Sequence, residues 1–163
     1  MSSLIPIQGK ISEDTQQYVT FTVGGQLFGV SALAVEDVVA KLPMTKIPLS
    51  PPEVVGTMNL RGHIVTALDM RIKLGLPLRK EGEPYMNIVV SDKSDLYSLV
   101  VDHVGDVISL NKADIDPNPA SMDERWQKYT AGIFQLKDCL LVMLDVTQLL
   151  AGESIELACS KNR

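Results

Sequence analysis

The chain has 163 residues, of which 45% are hydrophobic and 21% are charged, with a formal net charge of −5 and a pI near 5.0. This composition is typical of a globular protein with one domain or two small ones, which buries roughly 70% of the surface of its unfolded chain. The acidic balance and the aromatic content of 5% argue against nucleic acid or an anionic membrane as a partner, because phosphates require clustered Lys and Arg and bases require aromatic platforms.

The two cysteines, Cys139 and Cys159, predict neither a disulfide framework nor a metal site, because neither lies in a CxxC or Cys/His spacing. Cys139 follows the usual behaviour of a free cysteine in an apolar run and is expected to be buried. The N-terminus MSSLIPIQGK resembles no signal peptide, and no run of eighteen apolar residues occurs. We therefore expect a cytoplasmic protein without direct membrane insertion and without a cofactor.

The first strands are indicated by alternation of apolar and polar residues. Residues 1–17 show little periodicity and are predicted to be a flexible lead-in, whereas YVTFTV, from Tyr18, has the period of two of a half-buried strand. Gly24-Gly25 predicts a turn into a second strand. Residues 31–39 are ambiguous, since a helical turn followed by a strand also fits. The prolines of residues 41–52 predict an extended surface connector.

The stretch from Glu53 to Leu76, EVVGTMNLRGHIVTALDMRIKLGL, predicts a strand, a tight turn, a second strand and a short helix that Asp69 opens and Gly75 closes. Arg61 is its unusual member, because this long cation lies in a turn between two apolar strands. Arginine is enriched in the hot spots of interfaces, yet an exposed arginine in a turn is also compatible with a merely solubilising role. The residues alone leave both interpretations open.

The charged segment 77–84, bounded by prolines, predicts a boundary between two units, residues 18–84 and 85–150, followed by a C-terminal tail or helix at 151–163. The pattern VEDVV of residues 35–39 is matched by VGDVI at 104–108, and this indicates a duplication of all-β units with about five short strands each.

The second unit contains extra residues between Pro117 and Tyr129. There, Ser121 and Glu124 have the spacing of a capping box. We expect a short helix whose Trp126 packs against one of the two units.

Catalysis has little support. The chain has His63 and His103 but no GxSxG, P-loop or HExxH motif and no paired metal-ligand spacing. A small hydrolase or a ligand-binding barrel would have to rely on His63, Asp69 and Arg71 near one turn. The residues are better suited to binding than to turnover.

Four segments in order resemble the CheW family of bacterial chemotaxis coupling proteins, over residues 18–150: YVTFTVGGQLFGVSALAVEDVV, IPLSPPEVVGTMNLRGHIVTALDMRIKLGLP, LVVDHVGDVISL and YTAGIFQLKDCLLVMLDVTQLL. The most specific element is G-x-x-N-L-R-G followed by D-x-R-x-x-x-G-L. The resemblance implies an all-β fold with short helices, built as two intertwined five-stranded SH3-like β-barrels that exchange strands. It also implies a non-enzymatic adaptor that links the cytoplasmic hairpin tips of chemoreceptors to the regulatory domain of the histidine kinase CheA.

The resemblance also implies site residues and a location at the inner face of the membrane, through receptor arrays. The receptor-binding residues carried over by motif are Val35, Asp37, Gly56, Asn59, Arg61 and Gly62. Candidates for kinase binding are Val100, Val101 and Val104. Departures from the family pattern at Val39, His63 and Thr66 leave open a paralogue for surface motility or another chemosensory pathway, and a kinase-binding decoy is a further alternative.

Comparison of the two halves favours a binding role for Arg61. The position that matches Arg61 in the second half is Lys137, and Asn59 and Gly62 are matched by Gln135 and Asp138. The scaffold repeats but the Asn-Leu-Arg-Gly turn does not. A feature found in one copy is better explained by a partner than by folding.

Overall fold

The computed structural model describes residues 14–151. Most of the predicted lead-in and nearly all of the predicted C-terminal tail or helix therefore lie outside the described residues. The first strand begins at Thr15, earlier than the alternation at Tyr18 predicted.

The described part of the chain contains ten strands and three short helices. Two single 3-10 turns, Ala32–Ala34 and Lys112–Asp114, join strands to the segments that follow them. The elements in chain order are β1 (Thr15–Val23), β2 (Gln26–Ser31), β3 (Val35–Val39), β4 (Val54–Leu60), β5 (His63–Asp69), α1 (Met70–Lys73), β6 (Met86–Asp92), β7 (Asp95–Val101), β8 (His103–Asn111), α2 (Glu124–Tyr129), β9 (Thr130–Gln135), β10 (Leu140–Leu144) and α3 (Val146–Leu150).

The strands form two five-stranded sheets. Sheet 1 has the order β8-β1-β2-β10-β9 and sheet 2 has the order β3-β6-β7-β5-β4. Neighbours are antiparallel except for the parallel pairs β2–β10 and β5–β7. The prediction of an all-β fold with two five-stranded SH3-like units is confirmed, with one correction: in the described residues each sheet keeps two edge strands, so hydrogen bonding does not close either barrel.

The two sheets exchange strands. Sheet 1 takes β1 and β2 from the first half of the chain and β8, β9 and β10 from the second half, and sheet 2 takes β6 and β7 from the second half. Within residues 14–151 the chain passes between the sheets twice, first through the 3-10 turn after Ser31 and then at Asp102, between β7 and β8. The two units are therefore intertwined and do not follow one another along the chain.

One core is shared by both sheets. Phe21 and Phe28 of sheet 1 are fully buried and stack with ring centroids 5.8 Å apart, and they join Leu68 and Leu99 of sheet 2 in the same hydrophobic cluster. Burial of large side chains is the main stabilising contribution, at about 1.5–3 kcal/mol per residue of this size. The shared core therefore sets the overall packing of one sheet on the other.

The short helices test three local predictions. Asp69 caps α1 by accepting a hydrogen bond from the Arg71 N–H at 2.9 Å, and Gly75 follows with a φ of +72°, so the predicted short helix is confirmed. The capping box at Ser121 is wrong, because α2 begins at Glu124 with Asp123 as its N-cap.

Trp126 packs as predicted. Its ring lies 5.3 Å from the ring of Phe28, and its indole N–H donates to the Leu74 carbonyl at 2.8 Å. The prediction for Cys139 is wrong, since this cysteine is exposed in the turn between β9 and β10, where its carbonyl accepts from the Leu136 N–H. Cys139 is the first residue of the apolar run CLLVML, and burial begins only at Leu141, within β10.

Candidate functional site

The turn between β4 and β5 presents Arg61. Leu60 pairs with His63, so the hairpin loop consists of Arg61 and Gly62, and both have positive φ, at +53° and +87°. Such angles are typical of tight two-residue hairpins and are easy for glycine but unusual for arginine. The Asn59 side chain supports the turn by accepting a hydrogen bond from the Gly62 N–H at 3.0 Å.

Arg61 forms an ion pair with Asp37, with its Nη2 2.7 Å from the Asp37 Oδ2. The hydrogen bond from Arg61, helped by the Val38 N–H, lowers the pKa of the Asp37 carboxyl below its usual value. Asp37 lies on β3 and the turn ends β4, which are opposite edges of sheet 2. The sheet therefore curls until its edges approach, and a single ion pair spans the gap.

The arginine remains accessible despite this pairing, since 71% of its side chain is exposed. An exposed ion pair contributes little to stability because it is screened by solvent. The arrangement presents an oriented guanidinium next to a carboxylate, on a turn whose backbone is well defined. Such a group is suited to carboxylates or exposed carbonyls of a partner.

Gly56 supports this site from beneath. It is buried, and a Cβ at this position would lie 2.5 Å from the Thr45 carbonyl oxygen. That contact exists because Thr45 and Thr57 exchange two backbone hydrogen bonds of 2.8 Å, which attach the proline-rich connector to β4. A buried glycine has no surface with which to contact a partner, so its role in the motif is the close backbone approach.

The structure thus brings Asp37, Asn59, Arg61 and Gly62 together. Val35 begins the same strand as Asp37, but its side chain is partly buried against the shared core.

Two exposed apolar residues flank these elements along the chain and were not singled out from the sequence, Leu33 (86% exposed) and Ile64 (66% exposed). Leu33 lies on the 3-10 turn where the chain first passes between sheets, and Ile64 is the second residue of β5 after the hairpin loop. In the sequence, Leu33 could be recognised only as an apolar residue within an ambiguous segment, and Ile64 only as an apolar residue close to a predicted turn.

The valines proposed for kinase binding have different environments. Val100 and Val101 are buried, at 3% and 0% exposure, so the expectation that their side chains form a contact surface needs correction. Both belong to β7, an interior strand of sheet 2 that is buried along Tyr97–Val101 on both of its faces. Val104, on the edge strand β8, is partly exposed and packs against the shared core with the rest of its surface.

No arrangement for catalysis is found in residues 14–151. His63 and Asp69 lie at opposite ends of β5. The Asp69 carboxylate caps α1, and the Arg71 side chain is hydrogen-bonded to Asp102. The three residues of the hydrolase alternative therefore do not converge. The same residues contain no group of three or more His, Cys, Asp or Glu placed to hold a metal ion. None of the helices described is long and apolar enough to span a membrane.

A half-buried cluster of Asp102, Arg71 and Arg79, here called the Asp102 cluster, was also missed. Arg71 donates twice to the Asp102 carboxylate, at 3.1 Å from Nε and 2.7 Å from Nη2, and Arg79 Nη2 donates at 2.7 Å. The Gly24 N–H adds a fourth hydrogen bond of 2.8 Å. Burial raises the pKa of Asp102, but the hydrogen bonds from Arg71, Gly24 and Arg79 outweigh it and lower this pKa to about 2.

Comparisons with known proteins agree with one another. A family model described as a CheW-like domain matches residues 17–154. The chain is 30% identical over 142 residues to the chemotaxis protein CheW of Klebsiella aerogenes. The aligned region covers 87% of this chain and 86% of that protein. It is 27% identical over 139 residues to the chemotaxis protein CheW of Helicobacter pylori, with 85% and 84% covered.

A solved structure is similar as well. The crystal structure of the scaffolding protein TtCheW from Thermoanaerobacter tengcongensis matches with a TM-score of 0.74 and 27% sequence identity. The match covers 83% of this chain and 92% of that one. The likeness therefore extends over both sheets and the segments that join them.

Proposed function

The chain belongs to the CheW-like family, and on that premise we propose that it couples the cytoplasmic hairpin tips of chemoreceptors to the histidine kinase CheA. As a member of this family it is a non-enzymatic adaptor of chemotaxis signalling. The finer assignment concerns which partners it joins, and through which residues. It also places the protein on the cytoplasmic side of the membrane, brought to the inner face by the receptors.

The observation that carries this proposal is the Arg61 turn. A residue other than glycine at positive φ costs about 1–2 kcal/mol, and neither the exposed Arg61 side chain nor its ion pair is needed to build a hairpin. A cation held in an unfavourable backbone conformation and aimed outward is better explained by binding than by folding. We assign Arg61 as the main receptor contact, bordered by Asp37, Asn59 and Gly62.

Apolar residues on the chain segments that carry Arg61 and Asp37 suit a helical partner. Leu33 and Ile64 are exposed, and Val35 contributes what remains of its surface. A receptor hairpin made of amphipathic helices would place apolar side chains against these residues and a carboxylate or a backbone carbonyl against Arg61. Gly56 acts from beneath, by allowing the connector to hold β4 in place.

The kinase surface is proposed on sheet 1, around the exposed part of Val104 on the edge strand β8. Coupling then follows from simultaneous occupancy. A protein that holds both partners raises their effective concentration for one another without any new chemistry. The adaptor must for this purpose keep the two surfaces in a defined relation.

The test uses purified protein with a receptor cytoplasmic fragment and CheA encoded by the same genome. Arg61→Glu is expected to weaken binding of the receptor fragment by at least about tenfold, as for a hot-spot residue. Lys137→Glu is the matched control, because Lys137 occupies the equivalent turn of the second half and is exposed. This control should bind within about twofold of wild type, as expected for a distant site.

A second variant separates the ion pair from the contact. Arg61→Asp combined with Asp37→Arg restores opposite charges at the two positions but removes the cation from the turn, so binding should stay weak. Equal binding by wild type and Arg61→Glu would remove Arg61 from the receptor surface. Recovery of full binding in the exchanged pair would limit Arg61 to a structural role.

A further inference from the structure

Asp102 occupies the point where the chain returns from sheet 2 to sheet 1. It is the single residue between the end of β7 at Val101 and the start of β8 at His103. Its own N–H donates to the Thr22 carbonyl of β1 at 3.0 Å, so its backbone is already attached to sheet 1. The side chain is 12% exposed and therefore meets the rest of the protein more than it meets water.

The four hydrogen bonds to this carboxylate come from both sheets. Gly24, in the turn between β1 and β2, belongs to sheet 1. Arg71, in α1 directly after β5, and Arg79, in the connection from α1 to β6, belong to sheet 2. Charged hydrogen bonds of this kind are roughly twice as strong as neutral ones and are directional, particularly for a bidentate guanidinium.

Rigid elements connect this cluster to both surfaces of the proposed function. β5 runs from His63, next to Arg61, to Asp69, next to Arg71, and a strand of this length spans roughly 20 Å. On the other side, β8 begins directly after Asp102 and carries Val104. A shift of Arg71 against Asp102 would therefore move the Arg61 turn relative to β8.

We propose that Asp102, with Arg71 and Arg79, is a positioning cluster that fixes sheet 2 against sheet 1 and so holds the two partner surfaces in register. The shared core brings the two sheets together through the hydrophobic effect, which is itself non-directional. The cluster adds the directional constraint at the crossing. This inference rests on the proposed function for its consequence, but its structural claim does not depend on either partner.

The structural claim is tested by a distance measurement on the full-length protein. Spin labels are attached at Ile64→Cys on sheet 2 and Val107→Cys on sheet 1, two exposed positions, with Cys139→Ser and Cys159→Ser. Asp102→Asn should broaden or displace the distribution of distances between the labels. The control is Met143→Ala, a buried substitution in a second hydrophobic cluster that Met143 forms with Tyr18, Leu110 and Leu141 of sheet 1. It destabilises the protein without removing a hydrogen bond of the Asp102 cluster.

The functional consequence is tested by separating pairwise binding from coupling. Asp102→Asn should bind the receptor fragment and CheA within about twofold of wild type when each is tested alone. Activation of the kinase in the three-component mixture should fall by about tenfold, within the usual range of coupling between sites. In Met143→Ala, any loss of kinase activation should be no larger than the loss of pairwise binding.

The outcomes are distinguishable. A distance distribution unchanged in Asp102→Asn, or a loss of activation no greater than in Met143→Ala, would overturn the inference. If Asp102→Asn does not fold, Arg79→Gln is used in its place, because it removes one of the four hydrogen bonds. It must then change the distance distribution and the kinase activation in the same direction, by a smaller amount. If the wild type binds neither partner, the proposed function fails, whereas the distance measurement still decides whether the cluster fixes the sheets.

Discussion

Acid should remove a measurable part of the free energy of unfolding through one group, the Asp102 carboxyl. Its pKa is about 2 in the folded protein, compared with an ordinary value of 3.8. A folded-state pKa below the unfolded value means that the unfolded chain binds the proton more readily. The contribution to stability is therefore complete above about pH 4 and is lost as the pH falls through the folded-state value.

The magnitude follows from the gap between the two pKa values. Each pKa unit corresponds to about 1.4 kcal/mol, so the gap between 3.8 and about 2 amounts to about 2 kcal/mol. Small domains unfold with about 5–15 kcal/mol in total. This one carboxyl therefore represents a substantial fraction of the total free energy of unfolding expected for a protein of this size.

Urea unfolding at a series of pH values between about 6 and 2 measures this contribution. The free energy of unfolding of wild type should fall more steeply than that of Asp102→Asn, and the difference between them should shrink by about 2 kcal/mol over the range. Asp95→Asn, at the exposed first residue of β7, serves as the control. Parallel curves for wild type and Asp102→Asn would refute the reasoning, since the carboxyl would then not be stabilised by its partners.

Two further predictions concern packing. Gly56→Ala places a Cβ 2.5 Å from the Thr45 carbonyl and should cost about 1–3 kcal/mol, with faster amide exchange at Thr45 and Thr57; unchanged exchange at these amides would contradict the assigned role. Trp126→Phe keeps an aromatic ring against Phe28 but removes the indole hydrogen bond, with an expected loss of about 1 kcal/mol; chemical unfolding followed by circular dichroism measures it, and equal stability would mean that the hydrogen bond contributes nothing.

Local features were readable from the sequence because a few neighbouring residues carry them. The existence of the strand through Tyr18, the turn before His63 and the cap at Asp69 each depend on a short segment, although the predicted half-burial of that strand is wrong, because Tyr18 to Phe21 are buried on both faces. The packing of Trp126 was predicted correctly for a similar reason, since a tryptophan on a short amphipathic helix buries its large apolar ring against the neighbouring core.

The buried valines show where this kind of reasoning fails. A strand with one solvent-exposed face alternates buried and exposed residues, and Val100 or Val101 could contact a partner only through an exposed side chain. β7 is instead an interior strand of sheet 2, and Val100 and Val101 are both buried. Nothing within the segment distinguishes a strand covered on one face from a strand covered on two, because the covering elements lie elsewhere in the chain.

The sequence by itself determined the strand-rich character of this protein, the position of its hairpins and its family, and it singled out Arg61. Only the tertiary structure decided which strands the two sheets exchange, that the Arg61 guanidinium pairs with Asp37, and that Asp102 joins both sheets. The physical reason is distance along the chain. Asp102 and Gly24 are separated by 78 residues, so their pairing depends on how the whole chain folds and is encoded in no local pattern.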